Sequence, residues 1–483
     1  MKKKLLPALI VTGLIILVVI IMGITALINK YTPTKKTEDL KEYFNISSDD
    51  EAALIVDNEL SDYKAKIIDK KIYVDYKFVH DSLNSRFYWD ANENVLRYTT
   101  ASDFISAAAD SNSYSVTKQT NDFGYPIVKA TSDSALIALD YVKQYSNITF
   151  KSYDDPARIV ITSKWDEIDS ATVSKSTQVR VKGGIKSPIL KEVKKDDKIT
   201  ILDSGDKWDK VATEDGVIGY IKRKALSESK KTKLTNPDYE EETFTHIKKD
   251  KDICLAWNQV TSQSANSKVP QVISSTKGIN VMSPTWFYLN DNNGNLADIA
   301  SKDYVSYCHS QGIEVWGLFS NLENTDVDAA YVLTHTSTRT TLINQNMSTE
   351  FNYELDGANM HFENITEAAY GDSYIEFIRE LAIKCHNNGI SLSVDVTVPA
   401  SFNKFFNRSD MANFADYIVI MGYDEHYKGS DAGSVSSIPW ATEGVESTLK
   451  EVPADQIILG MPFYTRIWEL TPKEDDDAVT DTE

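Results

Sequence analysis

The chain has 483 residues, 42% of them hydrophobic and 10% aromatic, and a formal net charge of -20 at pH 7. That length accommodates about two to four domains, and the composition is that of a globular chain, not a disordered one. The acidic balance argues against nucleic acid or an anionic lipid face as a partner, because both select a basic surface. A neutral polysaccharide is indifferent to that field.

At the N-terminus, Met1-Lys-Lys-Lys4 precedes an apolar run from Leu5 to Ile28 that contains no charge. About 24 residues at about 1.5 Å each span roughly 36 Å, enough to cross the hydrocarbon of a bilayer. A cleavable signal peptide has a shorter apolar region of about 7–15 residues, and Gly23-Ile-Thr-Ala26 is a poor cleavage exit. Residues 1–30 are therefore expected to be an uncleaved signal anchor, a single pass through the cell membrane with the rest of the chain outside. Lys30, Lys35 and Lys36 weaken the charge bias that sets orientation. Cys254, Cys308 and Cys385 are odd in number and show no C-x-x-C, which predicts neither a disulfide framework nor a zinc site. They read as small buried hydrophobes, and no metal or cofactor is expected.

Residues 31–50 read as a polar spacer. Residues 51–165 hold a weak internal repeat of strand, short helix, strand, turn, strand. One copy runs from Lys71-Ile-Tyr-Val-Asp75 to Arg86-Phe-Tyr-Trp-Asp90 and Val95-Leu-Arg-Tyr-Thr99. The other runs from Ala135-Leu-Ile-Ala138 to Thr149-Phe-Lys-Ser-Tyr153 and Arg158-Ile-Val-Ile-Thr162. The pattern resembles the copper amine oxidase N-like stalk module, which implies a fold and no copper site, since His80 is the region's sole histidine. Residues 168–228 turn to short strands at Ala171–Val173, Gln178–Val181, Lys198–Leu202, Trp208–Ala212 and Val217–Ile221. Gly183-Gly184, Ser204-Gly205-Asp206 and Glu214-Asp215-Gly216 separate them. The V-R-V, D-x-W-x-K-V and G-Y-I-K runs resemble a bacterial SH3 (SH3b) domain, a small β-barrel that often binds cell-wall glycan or peptide. Trp208 and Tyr220 read equally as a ligand platform or as barrel aromatics. Residues 229–250 read as a linker.

From 251 to 483, strands alternate with helical stretches, the pattern of a parallel α/β barrel. Seven strands are expected, beginning at Ile253, Ile279, Ile313, Leu355, Ser391, Tyr417 and Ile457. Tyr307-Cys-His-Ser-Gln-Gly-Ile313 and Lys384-Cys-His-Asn-Asn-Gly-Ile390 share one form. Each reads as a helix with histidine in its last turn and glycine at a left-handed cap, so His309 and His386 are expected at helix ends.

One stretch concentrates the chemistry. Leu355-Asp-Gly-Ala-Asn-Met-His-Phe-Glu-Asn364 alternates apolar and polar residues and then stops at an acid. Period 2 puts Asn359, His361 and Glu363 on one strand face, toward the mouth of a barrel. The stretch resembles the D-x-x-D-x-D-x-E signature of glycoside hydrolase family 18, the chitinase-like (β/α)8 barrels of the spore and cell-wall branch. Gly278-Ile-Asn-Val-Met-Ser-Pro-Thr-Trp-Phe287, Val315-Trp-Gly-Leu-Phe-Ser-Asn321, Leu392-Ser-Val-Asp-Val396, Ile420-Met-Gly-Tyr-Asp-Glu-His426 and Leu459-Gly-Met-Pro-Phe-Tyr-Thr-Arg-Ile-Trp468 match in the same order.

The resemblance implies a multidomain envelope protein: a transmembrane helix, an α+β repeat module, an SH3-like barrel and a C-terminal TIM barrel. It implies hydrolysis of β-1,4-linked N-acetylglucosamine polymers, in peptidoglycan or chitin, by substrate-assisted retention. Glu363 would be the acid and base; Tyr423 and Asp424 would contact the substrate acetamide, and Asp356 would support the strand. Trp286, Asn359, Met421, Trp440 and Tyr464 would line the substrate site. The chain departs from the pattern at His361, where the family has aspartate, and in showing seven of eight strands before the acidic Pro472-Lys-Glu-Asp-Asp-Asp477. Two readings follow: a glycosidase, or a catalytically impaired glycan-binding protein.

Overall fold

The computed structural model describes residues 2–363, 365, 368–470 and 479–482. The acidic run 472–477 lies outside them. The chain divides into two compact units, residues 1–84 with 136–241, and residues 85–135 with 242–483.

The first unit opens with the helix Lys2–Tyr31, of which Leu9–Tyr31 is long and apolar enough to cross a membrane, at a mean hydropathy of 2.9. Its large side chains from Leu9 to Ile28 are exposed. Two sheets follow. In one, Glu51–Val56 pairs parallel with Arg158–Thr162 and antiparallel with Glu59–Ile68, which continues onto Lys71–Asp75. In the other, all antiparallel, the strands run Ile189–Val193, Thr177–Arg180, Ile218–Lys222, Trp208–Thr213, Lys198–Asp203, Glu167–Thr172, Lys230–Lys233. Five of these seven are the strands expected from the sequence. Ala53 and Ile55 of the first sheet share a core with Val179, Leu190, Val211 and Val217 of the second. Arg158 ties the sheets further, its guanidinium 2.6 Å from Asp215.

The expected module 51–165 is not one body. The expected strands form, and the short helices Tyr76–Phe78 and Leu139–Gln144 follow Lys71–Asp75 and Ala135–Ala138. However, Phe87–Asp90 and Val95–Thr99 enter a separate five-stranded meander with Phe104–Ala108, Ser113–Val116 and Gln119–Asp122, which groups with the C-terminal unit. The cause is side-chain chemistry. Tyr88, Arg97 and Thr99 bond to Ser373, Glu380 and Glu376 of the helix Ala368–His386.

In that unit the parallel strands are β1 (Leu255–Asn258), β2 (Val281–Leu289), β3 (Glu314–Ser320), β4 (Gly357–His361), β5 (Ser391–Thr397), β6 (Tyr417–Met421) and β7 (Ile457–Gly460). They are neighbours in chain order within one sheet. Each begins within two residues of its expected start. The main helices are α1 (Lys302–Ser310), α2 (Thr336–Tyr353), α3 (Ala368–His386) and α4 (Ile438–Thr448). α1 and α3 end as expected, with Gly312 and Gly389 at φ 71°, a conformation open to glycine at no steric cost. His309 and His386 do more than end helices: they bond Asp356 at 2.8 Å and Asp416 at 3.1 Å, at the N-terminal ends of β4 and β6. The outer core is built of Met282, Phe287, Val315, Ala358, Met360, Leu392 and Val394 against the helices. The sheet curls until the C-terminal ends of its outer strands meet. A Cβ on Gly460 of β7 would lie 2.8 Å from the Trp257 ring of β1.

Candidate active site

The site lies at the C-terminal ends of β4, β5 and β6, the end of a parallel α/β sheet where loops assemble chemistry. Along β4, Ala358 and Met360 pack into the outer core, so the residues between them turn inward. Asn359 is fully buried and its amide is saturated. Nδ2 donates to Asp395 Oδ1 (2.7 Å) and Ser393 Oγ (3.0 Å) of β5, while Oδ1 accepts from Trp257 Nε1 (2.9 Å) and Ser283 Oγ (3.1 Å). It knits four strands together.

His361, two residues on, bridges two acids. Its Nδ1 lies 2.8 Å from Asp395 Oδ2 and its Nε2 lies 2.6 Å from Glu363 Oε1. Burial favours the neutral ring, but hydrogen bonds to Asp395 and Glu363 and the charges of both outweigh it, and the imidazole is pushed up to about 10. At neutral pH it is an imidazolium donating from both nitrogens. The Asp395 side chain is fully buried, whereas that of Glu363 is 39% exposed at the mouth. The Glu363 backbone N–H donates to Asn321 Oδ1 (3.1 Å), and Asn321 Nδ2 is buried with no hydrogen-bond partner.

Beyond β6, Tyr423 is half-buried, edge-on to Trp257 at 6.1 Å and to Tyr464 at 6.2 Å between ring centres. Burial, aided by the charges of Asp395 and Glu363, raises its hydroxyl far above the usual phenol range, so it remains a proton donor. Asp424 sits at φ 62°, a left-handed conformation that aspartate tolerates better than most residues. Its Oδ1 accepts from Tyr464 Oη (2.7 Å) and Arg466 Nη2 (2.8 Å).

Of the residues expected here, Glu363, His361, Tyr423, Asp424 and Tyr464 converge on this mouth. Met421 is the nearly buried last residue of β6, and Asn359 lies below the surface. Trp440 is half-buried in the first turn of α4. One expectation needs correcting. Trp286 is not a sugar platform: it is fully buried, bonds Asn266 Oδ1 at 2.8 Å and packs edge-on to Tyr304 at 4.8 Å. Asp356 is at the opposite end of β4 from Glu363, accepting from Val315 N (2.8 Å) and facing His309. Its support is structural.

The sequence reading missed Asp395, Trp257 and Asn321. An acid inside the apolar run Leu392-Ser-Val-Asp-Val396 was the available signal for the first. Among the described residues no group of three His, Cys, Asp or Glu is arranged to hold a metal ion.

Residues 323–483, within the C-terminal unit, match the family model described as Glycosyl hydrolases family 18. The chain is 23% identical over 194 residues to Uncharacterized glycosylase YvbX of Bacillus subtilis (strain 168), which covers 37% of this chain and 55% of that protein. It is 24% identical over 187 residues to the Cortical fragment-lytic enzyme of the same organism, covering 37% of this chain and 43% of the relative. The chain thus spans about half the length of these curated relatives. Among solved structures, the chitinase from Chromobacterium violaceum ATCC 12472 superposes with a TM-score of 0.39 at 20% identity, over 44% of this chain and 68% of that one.

Proposed function

We propose that this chain is a cell-envelope glycosidase that cleaves β-1,4-linked N-acetylglucosamine polymers, in peptidoglycan or a chitin-like glycan, with retention assisted by the substrate's own acetamide. The carrying observation is Glu363, which stands at the mouth of a family 18 domain with its carboxyl group partly open to solvent. In this reading Glu363 protonates the leaving glycosidic oxygen while the acetamido oxygen attacks the anomeric carbon. It then takes a proton from the water that opens the resulting ring. Tyr423, held protonated, donates to the acetamido oxygen, and Asp424, braced by Arg466 and Tyr464, borders the same face. The apolar helix Leu9–Tyr31 would anchor the protein at the membrane, with residues 168–228 as an SH3b-like glycan- or peptide-binding module.

A second reading, glycan binding without hydrolysis, is favoured by one observation: the Glu363 carboxylate is ion-paired with the His361 imidazolium. A paired carboxylate has no proton to give. The test is incubation of the full chain with purified peptidoglycan and with chito-oligosaccharides, following new reducing ends and their anomer by NMR. Release of the β-anomer, abolished by Glu363→Gln, supports the glycosidase. Retention of glycan with no product supports the binding protein.

A further inference from the structure

We infer that Asp395 is a positioning residue, and that Asp395, His361 and Glu363 form one proton-holding unit in which His361 stores the proton that Glu363 delivers. The inference rests on the glycosidase reading. Its basis is geometric. Asp395 and Glu363 accept from opposite nitrogens of one ring, at 2.8 and 2.6 Å, and Asp395 is in turn fixed by Asn359 at 2.7 Å. The buried carboxylate holds the Nδ1 proton in place. The proton on Nε2, facing the exposed acid, is therefore the one free to move.

The step balances. The His361 Nε2–H bond breaks as the Glu363 Oε1–H bond forms, so imidazolium plus carboxylate becomes neutral imidazole plus carboxylic acid. Asp395 stays anionic throughout, and the unit carries a net charge of about -1 before and after. Glu363 then passes that proton to the leaving oxygen as the glycosidic C–O bond breaks. In the second half, the proton taken from water returns through Glu363 to Nε2. The unit thereby keeps a net negative charge beside the developing cation even though β4 carries an imidazole where its resemblance leads one to expect a carboxylate.

The groups facing His361 or its two acids are few among the described residues. β5 contributes Asp395, β4 contributes Asn359, the loop just past β4 contributes Glu363, and α3 contributes Tyr374, buried and influenced by Asp395. The segment after β6 contributes Tyr423, with Asp424 beyond it. Both tyrosines are held protonated by burial, so the carboxylates alone set the charge the ring meets.

The experiment pairs ring-nitrogen NMR of His361 with the pH profile of kcat/KM on chito-oligosaccharide, for the full chain and for Asp395→Asn. The expected result is a doubly protonated His361 at pH 8 and a basic limb of kcat/KM that coincides with the His361 midpoint. In Asp395→Asn both should move down by at least one pH unit, with KM within twofold. A neutral His361 at pH 8, a basic limb more than one unit from the His361 midpoint, or a midpoint unmoved by Asp395→Asn overturns the inference. The first two use the native chain alone, so a misfolded variant leaves the test intact. No turnover by the native chain on any glycan, with His361 doubly protonated, overturns the glycosidase reading instead, and the relay with it.

Discussion

His361 Nδ1 lies 2.8 Å from Asp395 Oδ2, a charge pair strung between the adjacent parallel strands β4 and β5. Because the Asp395 side chain is fully buried, its cation is what makes the buried charge tolerable. Replacing His361 by Ala strands that carboxylate and is expected to destabilise the C-terminal unit by about 3 kcal/mol. Adding Asp395→Asn should recover part of the loss, read as a non-additive double-mutant cycle in urea. Additive losses would mean the pair is not coupled.

The same pair sets a pH dependence. The imidazole is held at about 10 in the folded chain, above the roughly 6.5 of a free histidine. Its contribution to stability is therefore fully present below about pH 6.5 and is lost as pH rises through 10. Urea midpoints should fall between pH 7 and 10 in the native chain, and fall less steeply in His361→Gln. Parallel curves would contradict the assignment.

Glu350 of α2 is fully buried and neither carboxyl oxygen has a hydrogen-bond partner. Burial, with a contribution from Asp356, raises its pKa well above the ordinary carboxylate value. A raised acid binds its proton more tightly folded than unfolded, so it costs stability as pH climbs above about 4.3. Glu350→Gln should accordingly stabilise the chain at pH 8 and change little at pH 4. An equal effect at both values would count against a neutral Glu350.

The meander is fastened by buried charge. Arg97 Nη2 lies 2.8 Å from Glu380 Oε1, which also receives Arg339 at 3.2 Å, and all three side chains are nearly inaccessible. Arg97→Ala is expected to cost about 3 kcal/mol, since half of Glu380's compensation goes with it. Protease nicking between Phe104 and Asp122 should rise in step. A variant as stable and as resistant as the native chain would show the contact to be idle.

Gly460 gives room to an indole rather than to a turn. A methyl group there would lie 2.8 Å from the Trp257 ring, whose Nε1 donates to Asn359 at 2.9 Å. Gly460→Ala should cost about 1–3 kcal/mol by overpacking, and the Trp257 indole N–H resonance should shift toward that of a solvated ring. An unchanged resonance would mean that the strand ends yield instead.

How much of this the sequence disclosed depends on whether the signal was local. Strand starts from Leu255 to Ile457 were legible because each apolar run is bounded by its own glycines and polar residues. Glu363 and His361 were legible because they lie two residues apart in one short stretch. Asp395 was not, because what marks it is a neighbour 34 residues away in sequence, across a parallel pairing. Trp286 was misjudged for a different reason. β2 is buried on both faces, and a doubly buried strand reads as one apolar run with no indication of which side faces the mouth. The split of the repeat was equally hidden, since it is decided by partners on α3 rather than by Tyr88, Arg97 and Thr99 themselves.

Those partners have a consequence for biosynthesis. Tyr88 and Ser373 are 285 residues apart, Arg97 and Glu380 are 283, and Thr99 and Glu376 are 277. At about 5–20 residues per second of translation, the hairpin Phe87–Thr99 waits on the order of tens of seconds for α3 to leave the ribosome. Throughout that interval the nascent hairpin carries half of a bonding network with nothing to receive it. Translation of α3, not local folding of the hairpin, therefore sets the earliest moment at which this unit can close.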